Sequence, residues 1–329
     1  MTSDRVQLIG ISNAIVDVLA HVDYDFLEHI GAVPGSMTLI DEQQARALYE
    51  RMGPATEMSG GSVANTVAGF ANLGGRAAYI GRVRDDQLGE IFVHDMRSLG
   101  IDVRTQPAAE GAPTARCLIL ITPDGQRTMQ TYLGACTELG VADVTADTLG
   151  DSEVILLEGY VWDLAEGPAL TAEAIRLGQA SGARIAMSLS DSFCVERHRD
   201  AFRHAVDNGV DIVFADEDEI IALFDVDDFD TALEQTASLD NLFVLTRSEK
   251  GSVIRKGDTL IRQPAEHVPK VVDSTGAGDA YTAAFLYGYT NGRSLAECAR
   301  LGTWCATRVI QQVGARLPGD VLDDYTPGD

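Results

Sequence analysis

From Val154 onward, strand-like and helix-like passages alternate: Val154 to Leu157, Ala169 to Ser181, Arg184 to Leu189, Arg199 to Asn208 and Ile212 to Ala215. This βαβα rhythm leaves the chain little choice. It dictates an α/β fold with a largely parallel, doubly wound sheet flanked by helices, whose ligands lie beyond the carboxyl ends of the strands. Upstream, Val6 to Ile11 and Ala77 to Gly81 read as further strands and Gly89 to Leu99 as a helix.

Against that frame one stretch stands out, Asp273-Ser274-Thr275-Gly276-Ala277-Gly278-Asp279, between the extended-looking Val271-Val272 and a helix-like run from Ala280 to Tyr289. Gly276 and Gly278 flank a small Ala277, so backbone N–H groups can approach a ligand where a helix begins. The first N–H groups of a helix lack internal partners and the dipole there favours negative charge, which makes an anion hole. Asp279 would repel a bound phosphate unless it had work of its own, and a general base for a hydroxyl is the obvious work. The helix N-terminus is expected to keep it ionised and only weakly basic. Taken singly, the same residues also suit a tight turn and a helix cap. Two other phosphate loops are excluded, since no Gly-Lys dipeptide occurs and Gly-x-Gly-x-x-Gly fails at Tyr281.

A second stretch is Ser59-Gly60-Gly61-Ser62-Val63-Ala64-Asn65-Thr66. Val63, Val67 and Phe70 form the apolar stripe of a helix, with Asn65 on the opposite side near its start. The glycine pair lets a small ligand lie against the backbone while the Asn amide donates to and accepts from hydroxyls. Asn13 and Asp17 are the polar exceptions in an extended region running to Val22. Met37 to Ile40 reads as a short strand, followed by Asp41 as a helix cap. The runs Thr114 to Thr122 and Arg127 to Leu133 flank Pro123-Asp124-Gly125-Gln126, a hairpin signal. Asp216 and Glu219 have capping-box spacing, and the same i, i+3 pair of carboxylates is compatible with hydrated Mg²⁺.

Gly60-Gly61-x-x-x-Asn65 and Asp273 to Asp279 together resemble the N- and C-terminal signatures of the PfkB (ribokinase-like) carbohydrate and nucleoside kinase family, with Ser274 where the family has Thr. Asn13-x-x-x-Asp17 and the Asp-Gly-x-Arg string ending at Arg127 resemble its adenosine-kinase-like branch. The resemblance implies a ribokinase-like fold, a single kinase domain over residues 1–329 and a small β-rich lid formed discontinuously by about 12–40 and 112–135. It implies that Asn13, Asp17, Gly60, Gly61 and Asn65 hold the sugar. Asp279 would take the proton of a primary hydroxyl, while the N–H groups of Gly276, Ala277 and Gly278, with Arg127, meet the transferring phosphoryl group. Thr246, Gly251, Asp273 and Thr275 are implied to bind nucleotide. Asp216 and Glu219 are implied to hold Mg²⁺ through water. Two departures stand out: Asp216 replaces the Asn of Asn-x-x-Glu, and Ser248 breaks Thr-x-Gly-x-x-Gly.

The implied cofactors are ATP and Mg²⁺, with a monovalent cation such as K⁺ often needed by relatives, and the last helix, Leu301 to Val313, would flank the adenine. The acceptor expected is a nucleoside such as adenosine; the alternatives are a free sugar (ribose or a ketohexose such as fructose) and a non-catalytic sugar- or nucleoside-binding protein. Met37, Leu39 and Leu133 would cover a base or form lid core. Oligomers through the lid occur in such a family.

A formal charge of -25 has the wrong sign for tracking nucleic acid. No apolar run approaches the roughly 18 residues of a membrane span, and Met1 to Arg5 carries no signal-peptide pattern, so no membrane partner and a cytoplasmic location are expected. The five cysteines show no Cys-x-x-Cys spacing, which supports neither disulfides nor zinc. The polar, acidic tail from Pro318 is expected to be loosely ordered.

Overall fold

Alternating burial builds two apolar layers on one sheet. In the computed structural model, which describes residues 5–326, the first strand β1 (Val6–Ile11) sends Leu8 into one layer and Ile9 and Ile11 into the other. The signal-peptide reading of residues 1–4 and the last three residues of the tail lie outside the described residues. Along the chain follow β2 (Ile15–His21), α1 (Tyr24–Ile30), β3 (Met37–Leu39), α2 (Glu42–Arg51), β4 (Thr56–Gly60), α3 (Ser62–Asn72), β5 (Ala77–Ile80) and α4 (Gln87–Ser98). Next come β6 (Asp102–Val103), β7 (Ala115–Ile121), β8 (Arg127–Tyr132), α5 (Ala146–Leu149), β9 (Ser152–Glu158), α6 (Gly167–Ser181), β10 (Arg184–Ser188) and α7 (Ser192–Asn208). The last elements are β11 (Ile212–Asp216), α8 (Glu217–Phe224), α9 (Phe229–Thr236), β12 (Leu242–Thr246), β13 (Ser252–Lys256), β14 (Thr259–Gln263), α10 (Ala277–Thr290) and α11 (Leu295–Val309).

The large sheet has the order β14-β13-β12-β11-β10-β9-β1-β5-β6, parallel from β12 to β6 and antiparallel at the β12-β13-β14 edge. From β1 the chain builds outward through β5 and β6 on one side, then crosses to β9 and builds outward on the other. The crevice between the carboxyl ends of β1 and β9 is therefore the topological switch point at which such sheets bind ligands. Asn13 follows β1 there and Glu158 ends β9, joined by a hydrogen bond from the Asn13 amide to Glu158 Oε2 at 2.9 Å.

A second sheet has the order β3-β8-β7-β2-β4. One face, through Val16, Val18, Leu118 and Leu120, packs with Leu27 of α1 and Leu48 of α2 in the main core. On the other face the register places Ile15, Asp17 and Leu19 beside Ala115, Cys117 and Ile119, and Cys117, Ile119 and Ile121 beside Thr131, Met129 and Arg127 of β8. The hairpin predicted at Pro123 to Gln126 forms, held by Thr122 Oγ1 to Asp124 Oδ1 at 2.6 Å.

Several expectations need correction. Val271-Val272 forms no strand; both side chains are exposed and the Val272 amide bonds to Ile310 O. Strand β4 and the β13-β14 edge hairpin were not foreseen, because Thr56–Gly60 and Thr259–Gln263 are short and polar and draw their stability from pairing, not burial. Helix α7 starts at Ser192, capped by Asp191, earlier than its apolar periodicity suggested, and is kinked at His198.

The tail is also better fixed than its polarity implies. Leu317 and Val321 are buried with Leu73, Ala284 and Leu301, the Trp304 indole donates to Val321 O at 2.9 Å, and Tyr325 packs edge-on against Trp304. A few apolar anchors at wide spacing suffice to dock a polar segment. Among the described residues no helix is long and apolar enough to cross a membrane. Replacing Leu317 by Ala should cost about 2–4 kcal/mol of unfolding free energy, read as a lowered urea midpoint; an unchanged midpoint would mean the tail is not part of the cooperative core.

Candidate active site

The two glycine-containing stretches meet at one carboxylate. Asp279, in the first turn of α10, accepts hydrogen bonds from Ser62 Oγ at 2.7 Å and Asn65 Nδ2 at 3.2 Å, both on the first turn of α3. Gly276 caps α10 with φ +78°, and a Cβ on it would lie 2.6 Å from the Ala315 Cβ, so both backbone conformation and space call for glycine. Gly278 faces open space, while the Ala277 amide turns back to Ser274 O at 3.2 Å. Beneath the loop, Asp273 receives the amides of Thr275 (3.0 Å) and Gly314 (2.9 Å) and pairs with Arg127 Nη2 at 2.7 Å. Arg127, expected at the phosphoryl group, is thus engaged by the same loop and ties β8 to it.

Asp279 is not weakly basic. Burial pushes its carboxyl up to about 6, against the hydrogen bonds from Ser62 and Asn65 and the charge of Arg316. A helix terminus contributes about 0.3–1 kcal/mol, less than one pKa unit, and desolvation outweighs it. The same happens to Asp17, pushed up to about 6 by burial, with Arg316 and Arg127 opposing. Asp17 lies across Gly60, where a Cβ would stand 2.4 Å from the carboxylate carbon. Gly61, at φ +98°, passes so close to Asn13 that a Cβ would meet Asn13 O at 2.5 Å. Asn13 Oδ1 is buried with no protein partner, an acceptor left over for a ligand hydroxyl.

Three residues of this region were not singled out from the sequence. Ser62 sits between the signature residues and looks like a linker. Arg316 lies in the C-terminal segment with no motif around it. Glu158 had a signal, a lone acidic residue closing an apolar strand at the switch point. It is fully buried, accepts the Asn13 amide and, at 3.3 Å, that of Val63, and is pushed up to about 7 by burial. It serves α3 as an N-terminal cap, because Gly61 has no side chain to do so.

From Ser62 and Asp279 a cleft of about 820 Å³ extends past Gly278, Thr246 and Gly251 to Thr303 and Ile310, on and beyond α11. Ser248 lines it too and adopts φ +49°, the left-handed region that favours glycine. The backbone therefore keeps the shape of the glycine loop despite the Ser. A Cβ on Gly251 would lie 2.0 Å from Gln263 O, so this glycine is required by the β13-β14 hairpin behind it.

Asp216 and Glu219 stand in the cleft wall, each carboxylate accepting the other's backbone amide, at 2.8 and 2.9 Å. Burial and the charge of Asp216 push Glu219 up to about 8. The buried Glu219 beside the exposed Asp216 in a cleft wall fits a hydrated divalent cation, whose charge would relieve their repulsion.

Four carboxyls of the ligand-free protein, Asp17, Asp279, Glu158 and Glu219, thus hold their protons more tightly folded than unfolded. Their contribution to stability is largest near pH 4 and is lost as pH rises through about 8. The thermal midpoint of the ligand-free protein should therefore fall from pH 5.5 to 8.5, and E219Q should flatten the upper part of that slope. A midpoint that rises over this interval would contradict the burial of these groups.

Comparison with known proteins gives the family. The chain is 51% identical to an adenosine kinase of known structure from Sinorhizobium meliloti, over 95% of this chain and 96% of that one, with a TM-score of 0.86. It is 46% identical, over 95% of both chains and with a TM-score of 0.87, to a probable sugar kinase from Rhizobium etli CFN 42. The adenosine kinase of Saccharomyces cerevisiae is 24% identical across 96% of this chain and 98% of its own. The family model for the pfkB family of carbohydrate kinases matches residues 29–321. With this coverage, and with both signatures converging on Asp279, the chain belongs to the pfkB family of carbohydrate kinases and is a phosphotransferase acting on an alcohol group.

Proposed function

We propose that the chain transfers the γ-phosphate of ATP to the primary hydroxyl of a ribose-containing substrate, with a nucleoside such as adenosine as the preferred acceptor. The observation that carries this choice is the inner face of the second sheet. Asp17 shares that face with Ile15, Leu19, Cys117, Ile119, Ile121 and Met129, which form their own apolar cluster. Beyond them stand Met37 and Leu39, more than half exposed and in register with Met129 and Thr131. A carboxylate grip for hydroxyls beside an apolar bank matches a ribose joined to a flat base. A free sugar has nothing to place on that bank.

In this reading Asp17, Asn13, the Gly60-Gly61 backbone and Asn65 orient the ribose so that its primary hydroxyl meets Asp279. With its carboxyl near 6, Asp279 is ionised at pH 7 yet basic enough to accept a proton late in a loose phosphoryl transition state. Ser62 and Asn65 aim the carboxylate, and the start of α10 offers backbone N–H groups to the transferring phosphate. Thr246 and Gly251 line the nucleotide end of the cleft, while Asp273, accepting the Thr275 amide, holds the shape of the anion loop. Mg²⁺, held through water by Asp216 and Glu219, would supply positive charge to the phosphates. The second sheet serves as the lid, its β8 linked to the anion loop by the Arg127–Asp273 pair. The R. etli relative favours the second reading, a free-sugar kinase, which shares every one of these steps.

A coupled ADP-release assay with Mg-ATP over adenosine, other nucleosides, ribose and fructose separates the two. Adenosine should exceed ribose in kcat/KM by roughly 100-fold, the value of burying a base against an apolar bank. D279N should lower kcat by about 10²–10⁴-fold while ATP affinity is retained. Ribose or fructose as the best substrate would move the protein to the free-sugar reading, and full activity of D279N would refute the base.

A further inference from the structure

The C-terminal segment from Gly314 to Leu317 runs between the two signature loops and touches both. The Gly314 amide donates to Asp273 Oδ2 at 2.9 Å, and Ala315 packs against Gly276 of the anion loop. On the other side, Arg316 Nε donates to Ser59 O at 3.2 Å and Nη1 to Ala64 O at 3.1 Å. Its Nη2 is hydrogen-bonded to Ser59 O and Oγ. Ser59 is in turn held by Asp95 of α4, whose Oδ2 accepts its amide at 2.9 Å. Leu317 O accepts from Asn72 Nδ2 at 2.7 Å at the far end of α3. One guanidinium therefore spans the end of β4 and the first turn of α3, the two flanks of Gly60-Gly61.

We propose that Arg316 is a positioning residue for phosphoryl transfer: it fixes the Gly60-Gly61 turn against the anion loop and supplies the enclosed positive charge that balances Asp17 and Asp279. This rests on the kinase reading above. The planar fork suits the first task, since three carbonyl and hydroxyl acceptors at fixed angles match its donors as an ammonium would not. The second task follows from the surroundings. Asp279 is faced by Ser62 and Asn65 from α3, by Asp17 from β2, by Glu158 from β9 and by Arg316. Arg127 of β8 also acts on Asp17 but is paired with Asp273. Asp95 and Tyr79 face Arg316 itself. Three acidic groups thus crowd the acceptor pocket. Arg316 is the cation that lowers both Asp17 and Asp279, while burial raises them.

The test is the pH dependence of kcat/KM from pH 5 to 8.5 for wild type, R316Q, R316K and D95N with Mg-ATP and the best acceptor. Activity requires the ionised carboxylates, so the acid limb of the wild type should lie near 6. In R316Q, which keeps hydrogen-bonding capacity without charge, the limb should move up by about one pH unit, the lower end of the effect of a neighbouring Arg on an Asp. R316K keeps the charge and should hold the limb near its wild-type position, with kcat/KM lowered at all pH because the fork is lost. D95N leaves Arg316 in place and removes an opposing charge, so its limb should move down; it tests the same charge if R316Q does not fold. A purely structural Arg316 would lower activity without moving any limb, and limbs that coincide in R316Q or, failing its folding, in D95N overturn the proposal. Absence of turnover in the wild type removes the kinase reading and this role with it, whereas wild-type turnover with coincident limbs removes only the role of Arg316.

Discussion

The hydrogen bonds of Asp279 to Ser62 and Asn65 join parts of the chain more than 200 residues apart. The role proposed for Asp279, a base for a hydroxyl, requires a carboxylate that is ionised near neutral pH and yet lies out of water, where ionisation is disfavoured. Two polar side chains from α3 and one nearby guanidinium reconcile those demands, so the carboxyl settles near 6, well short of the larger rise that burial by itself would impose. This arrangement needs α3 and α10 to be packed side by side with their N-termini at the same end. Much of the fold can be understood as the means to that end. The parallel sheet brings the starts of the helices that follow its strands to the carboxyl edge, and the switch at β1 opens a crevice there.

Steric demands then fix the smallest residues. Gly60 yields to the Asp17 carboxylate, Gly61 to Asn13 O, and Gly276 to Ala315. Each glycine therefore records a close approach between elements distant in sequence. The charge pattern has a similar logic. Acidic groups gather where a metal and phosphates are expected, and two cations near the acceptor pocket are placed singly: Arg127 on Asp273 and Arg316 between Ser59 and Ala64, while Asp216 and Glu219 each accept the other's backbone amide.

What the sequence made legible was the part written in local patterns. The βαβα rhythm, the helix after Gly61, the helix after Gly276 and the capping box at Asp216 all rest on spacing within a few residues, and all are present. The family and fold were legible from two glycine strings. What escaped were features made by long-range contact. Strand β4 and the β13-β14 hairpin owe their existence to partners, and the docked tail to Leu317 and Val321 reaching a groove that no local pattern announces. The basicity of Asp279 was misjudged because a helix dipole can be read from sequence and burial cannot. Arg316 was invisible for the same reason, since only the packed structure brings residue 316 beside residues 59 and 64.

Transfer of a phosphoryl group to a primary hydroxyl leaves a signature that turnover alone does not. In a proton-coupled ³¹P spectrum of the protein incubated with Mg-ATP and adenosine, a new monoester resonance should appear as a triplet, split by the two protons of the carbon bearing the new phosphate, and should be absent with D279N. A doublet, marking transfer to a secondary hydroxyl, or inorganic phosphate as the only new signal, would contradict the placement of the primary hydroxyl at Asp279.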